Sequence, residues 1–114
     1  MRKHQIEQAA FEVATQIRTV EDLIDDTLAE IAELQARMVR VRTTAGIGVA
    51  TGHGAFEQLA GALQGLVAAR GGMANCHAEL VEAKAFVPGL RTVSFGDGDE
   101  CPPQTGRTAL RVVA

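Results

Sequence analysis

Ile6, Ala10, Val13, Ile17, Val20, Ile24, Thr27, Ile31, Leu34, Met38 and Val41 recur at alternating intervals of four and three, with no glycine or proline between the first and the last. A row with this repeat is the sequence signature of a coiled coil. A seam so long and narrow cannot be buried by a chain of 114 residues unless a second helix of similar length lies along it. The chain must fold back on itself or meet copies of itself.

The composition agrees with helices. Aromatic residues make up only 4%, with no Trp and no Tyr, so the apolar surface comes from Ala, Leu, Ile and Val, which suit closely packed helices better than a β-sandwich or a stacking site. The first helix is expected over about residues 5–44, roughly 60 Å at helical rise. Its a-like positions are Ala10, Ile17, Ile24, Ile31 and Met38, and its d-like positions are Ile6, Val13, Val20, Thr27, Leu34 and Val41. β-Branched residues at both positions disfavour a simple parallel dimer. Phe11, Leu23 and Leu28 widen the seam into a face, which suits a bundle of several helices. Thr27, the polar member of the row, is expected to bond back to the preceding turn.

The run AGIGVATGHG between Ala45 and Gly54 holds four glycines, too many for a helix interior, and Gly46 fits the left-handed residue that ends one. A second helix is expected over about residues 55–87, stopped by Pro88 and Gly89. Phe56, Leu59, Leu63 and Leu66 share a face, and the stripe resumes as Met73, Cys76, Leu80, Ala83 and Val87. The shorter interval at Gly71 and Gly72 predicts an overwound or broken helix there. Gly61, Gly65 and Ala69 form a ridge of small side chains four apart.

The expected fold is therefore all-α: a long antiparallel helical hairpin over residues 1–89, associating through its heptad seam into a bundle. Residues 90–114 form an irregular tail. Thr92–Phe95 fit a short strand, Gly96–Asp99 a turn, and Pro102–Pro103 a stiff segment. Phe95, Leu110, Val112 and Val113 have no place in the seam and are assigned to docking on other subunits, by packing or by strand addition.

No pattern in the chain specifies catalysis, a cofactor or a metal. Asp97, Asp99 and Glu100 alternate as calcium ligands do, but the twelfth loop position is Thr108 instead of the bidentate Glu an EF-hand needs. Cys76, His77, Cys101, His53 and His4 are zinc-ligand types, yet neighbours on a helix diverge by about 100°, so Cys76 and His77 do not chelate one ion. Cys76 is expected in the core and His77 at its rim. TGHG matches no phosphate loop. A net charge of −3 and a pI near 5.5 argue against nucleic acid, and Arg37, Arg40 and Arg42 are read as cations offsetting a helix dipole. Glu21, Asp22, Asp25 and Asp26 are expected to face away from the seam as a solvated acidic group.

The Met-Arg-Lys-His opening is not followed by the apolar core of a signal peptide, and Ala45–Ala69 is too diluted by glycine and polar residues for a membrane span. Two cysteines, too few for a disulfide framework and without a C-x-x-C spacing, say little about redox compartment beyond favouring a reduced, cytoplasmic origin; localisation stays open between cytoplasm and virion. The function expected is a non-enzymatic structural or interaction subunit that is a homo-oligomer within a larger assembly, such as a virion or a secretion or envelope machine. The alternative is a regulatory binding protein, antitoxin-like or an anti-activator, docking its acidic helix face on a basic partner.

Overall fold

The computed structural model describes residues 2–90. The expected strand at Thr92–Phe95, the acidic turn, Cys101 and the docking residues Phe95, Leu110, Val112 and Val113 lie outside them. The protein is all-α: α1 spans Arg2–Ala45, α2 spans His53–Ala83, and a short 3₁₀ turn follows at Lys84–Phe86. The two long helices pack together as a hairpin. It is described in two units, one formed by residues up to Thr19 together with those from Gly72 onward, the other by Val20–Gly71.

The second of these units contains the reversal of the chain. α1 ends where Gly46 takes φ 69°. The Gly46 amide donates to the Thr43 carbonyl at 3.2 Å, and the Ile47 amide donates to the Arg42 carbonyl at 3.2 Å. This paired set of bonds is a Schellman cap, which a residue with a Cβ would form only under strain. The Arg42 guanidinium donates to the Ile47 carbonyl at 3.0 Å, so this arginine closes the turn as well as neutralising the helix end. Gly52, at φ 81°, launches α2, and the Ala55 amide donates to its carbonyl at 3.0 Å. The glycine segment is thus a turn, and α2 starts at His53, two residues before the expected position. The His53 Nε2 lies 3.8 Å from a Glu57 carboxylate oxygen one turn on.

On α1 the half-buried residues of this unit include Val20, Glu21, Ile24, Leu28, Ile31, Met38 and Arg42, whereas Thr27, Leu34 and Val41 are exposed. The line covered by the partner arm therefore runs mainly through the a positions and the neighbouring e positions, with Val20 as the d position it takes in, and leaves the d residues Thr27, Leu34 and Val41 outside it. A face made wide by Leu28 on one flank and the d residues on the other exceeds what a single helix covers. Thr27 helps decide the outcome: its hydroxyl donates to the Leu23 carbonyl at 2.8 Å, as expected for this residue, and it offers little apolar surface to a neighbour. Phe56, Leu59 and Leu66 of α2 are half-buried, and Leu63 sits at the exposed edge.

In the other unit Glu7, Ala10, Ala14 and Ile17 of α1 are half-buried and Val13 is exposed, the same offset, while the d residue Ile6 is half-buried as well. The α2 residues half-buried there are Met73, Ala74, His77 and Val81, followed by Lys84 and Val87. This corrects the expected stripe. α2 runs as an unbroken helix through Gly71 and Gly72, so its face continues in regular intervals onto His77 and Val81 and leaves Cys76 and Leu80 exposed. Cys76 is not a core residue.

The α-helix stops at Ala83, earlier than expected, and tightens into the 3₁₀ turn Lys84–Phe86; Pro88 disfavours a helical backbone at the residue before it. Val87 is extended, with φ −98° and ψ 123°. The Leu90 amide donates to the Val87 carbonyl at 3.1 Å, and Gly89 has φ 87°. Pro at the second position and a left-handed Gly at the third make Val87–Leu90 a type II turn. It folds the chain back so that Leu90 is 5% exposed, the one buried side chain among the described residues. Gly89 lies against Lys3: a Cβ there would stand 3.3 Å from the lysine Cγ.

Candidate interaction surfaces

Three features stand out: an exposed apolar row, an apolar cavity with basic side chains in its lining, and an acidic group on α1. The first is the uncovered d row in the Val20–Gly71 unit, where Leu34 is 47% and Val41 is 64% exposed, with Leu23 and Val39 also open. The row is straight because residues three and four apart share a face of the helix. The seam residues Ile6, Ala10, Ile17, Val20, Ile24, Ile31 and Met38 are half-buried within the hairpin, and Val13, Leu34 and Val41 are exposed. One part of the predicted seam thus closes the hairpin and the other remains at the surface.

The second is a cavity of about 230 Å³ in the unit that holds the chain's first and later residues. Val13 and Ile17 from α1, Leu80 and Val81 from α2, and Val87 and Leu90 after it supply apolar walls, while Arg18, His77 and Lys84 also line it. The helices position these groups in different ways. His77 and Val81 lie one turn apart on the covered face of α2, and the type II turn brings Leu90 to the cavity from outside any helix. Sequence periodicity did not find this site, because the V-P-G-L signal that carries Leu90 back was read only as a helix stop. Read as a type II turn, it would have placed Leu90 with the hairpin. Phe86, in the 3₁₀ turn, is 88% exposed.

The third is the acidic group on α1. Arg70 donates from Nε to the Asp25 carboxylate at 2.6 Å. That hydrogen bond outweighs the opposing desolvation and, with a smaller attraction from the guanidinium charge, holds the Asp25 carboxyl below its ordinary value. The same bond raises Arg70, to which Glu21 adds a weaker attraction. Asp25 is therefore engaged by α2, and Glu21 is half-buried. These two do not belong to a face turned wholly away from the partner helix, as the sequence reading had them.

Among the described residues no three His, Cys, Asp or Glu side chains gather into a group that would hold a metal ion. No helix among them is long and apolar enough to cross a membrane. No protein-family model, curated protein or solved structure matches this chain.

Proposed function

We propose that this protein is a non-enzymatic structural or interaction subunit that self-associates through the exposed half of its heptad seam, within a larger assembly whose other subunits are engaged by the C-terminal tail. The observation that carries the proposal is the pairing of a covered a/e line with d residues left open at Val13, Leu34 and Val41. A hairpin that buries a single side chain among its described residues has little apolar burial to set against the entropy of ordering two long helices. Packing a second hairpin on Leu34 and Val41 supplies the missing burial and makes a bundle of four helices, for which β-branched seam residues are suited. The tail residues Phe95, Leu110, Val112 and Val113 are apolar groups that the seam does not use, and they are available in kind for docking on another subunit.

The alternative, a regulatory protein presenting its acidic face to a basic partner, has less to draw on. Asp25 already accepts from Arg70 within the chain.

Sedimentation of the full chain over a concentration series tests the proposal. The wild type should be an oligomer at micromolar concentration, and Val41→Glu should shift it toward monomer while preserving its helical circular dichroism. A wild type that sediments as a folded monomer throughout would refute it.

A further inference from the structure

Phe86 is the most exposed large apolar side chain among the described residues, with 88% of its surface open. It stands beside an apolar cavity and not in it. Lys84, at the start of the 3₁₀ turn, and Val87, just after it, both line the cavity, and Phe86 does not. Three residues per revolution put those two on one side of the turn and the residue between them about 120° away, so the backbone that bears the ring holds it off its own cavity. The volume of about 230 Å³ nevertheless suits a phenyl ring, since a cavity of about 150 Å³ holds benzene. Val13, Ile17, Leu80 and Val81 supply aliphatic walls, and Val13 and Leu80 are themselves exposed, which leaves the rim open.

We propose that Phe86 of one copy of this chain fills the cavity of a second copy, reciprocally, about a two-fold axis. A projecting ring and a ring-sized cavity a few residues apart are self-complementary, and two-fold pairing satisfies both in one contact. An aromatic ring in a desolvated pocket is the kind of anchor that carries an interface. Each inserted ring buries about 150–250 Å². Counted with the walls they cover, two insertions reach roughly half of the 1,200–2,000 Å² found in stable pairs. The open seam supplies the remainder: Val13 is both an exposed seam residue and a wall of the cavity, so the ring contact continues the surface proposed for self-association. The inference rests on that reading in taking a second copy as the partner, and it adds the anchor and the symmetry.

Two variants of the full chain test the exchange. Phe86→Ala removes a ring that is open in the single chain, so helicity should be unchanged while the dissociation constant of the oligomer rises at least tenfold by sedimentation. Ala14→Phe fills the cavity from its own wall and should weaken association in the same way. Mixed in equal amounts, the two should associate more tightly than either alone, because Phe86 of the Ala14→Phe chain finds an empty cavity in the Phe86→Ala chain. No recovery on mixing overturns the proposal, as does a Phe86→Ala oligomer of wild-type strength. If Ala14→Phe unfolds, the absence of Trp gives a second readout: the single indole of Phe86→Trp should emit at shorter wavelength as concentration rises. Emission unchanged by association overturns the proposal, and so does emission already shielded in the dilute monomer. Failure here is separable from failure of the seam reading. An oligomer that Val41→Glu dissociates and Phe86→Ala does not keeps the seam contact and removes the ring exchange, the opposite pattern does the reverse, and a wild type that is monomeric throughout refutes both.

Discussion

Asp25 and Arg70, forty-five positions apart in sequence, are joined by a 2.6 Å hydrogen bond between a carboxylate of α1 and the guanidinium of α2. Both side chains are largely exposed, with 53% and 60% of their surface open, so the pair fixes which residues lie opposite each other more than it stabilises the fold. The depressed carboxyl sets the sign of a pH effect. A group whose folded pKa lies below its unfolded one contributes stability above the unfolded value, and that contribution is lost as pH falls through the folded value. Thermal melts of wild type should therefore lose stability below about pH 4 by more than those of Asp25→Asn. Equal losses in the two proteins would show that this pair does not couple to folding.

Ile24 and Leu34 separate the two halves of the seam. Ile24→Asp puts a charge into the covered line of the hairpin and should cost several kcal/mol, seen as loss of helical signal at any protein concentration. Leu34→Glu changes a side chain already open in the single hairpin. Its effect on a monomer should stay within about 0.5 kcal/mol, while the dissociation constant of the oligomer rises at least tenfold by sedimentation. An unchanged oligomer in Leu34→Glu would exclude the d row as the contact.

Gly46 and Gly61 are expected to respond to alanine with opposite signs. At Gly46 the backbone is left-handed, so Gly46→Ala should lower the urea midpoint by the equivalent of about 1–2 kcal/mol. At Gly61 the helix is regular and a Cβ would meet nothing within 4 Å, so Gly61→Ala should stabilise by about 0.5–1 kcal/mol. A loss of stability at Gly61 would mean that another backbone approaches this ridge of small residues.

Cys76 is exposed and should react in the native protein. With Cys101→Ser removing the other thiol, a maleimide reagent should label the folded chain stoichiometrically, at a rate close to that of the urea-unfolded protein. A rate slowed tenfold or more would place Cys76 under a neighbouring subunit.

Periodicity and glycine placement made most of the fold legible. The uninterrupted repeat from Ile6 to Val41 identified α1, and the glycines after Ala45 located the reversal, because helix propensity and left-handed backbone are local properties. What the repeat did not reveal was which columns of the wide apolar face the second helix would cover. That depends on the partner's side chains: Glu21 and Arg42 contribute apolar stems to the covered line even though a binary pattern scores them as polar. The same binary pattern drew the α2 stripe through Cys76 and Leu80, when an unbroken helix carries it through His77 and Val81. The cavity was illegible for a further reason. Its walls come from three separated segments, and only the turn at Pro88–Gly89 brings the last of them into place.

The contact between Gly89 and Lys3 bears on how the molecule is handled and connected. It sets the outgoing chain beside the first turn of α1, so the two directions in which the polypeptide is extended start from neighbouring points. A bulky fusion on the amino end would stand close to the turn at Pro88–Gly89 and could disturb it. The same proximity favours tandem arrays. A linker of a few residues would suffice to join the exit of one repeat to the entry of the next if residues 91–114 were removed, turning the two-arm unit into a repeating block.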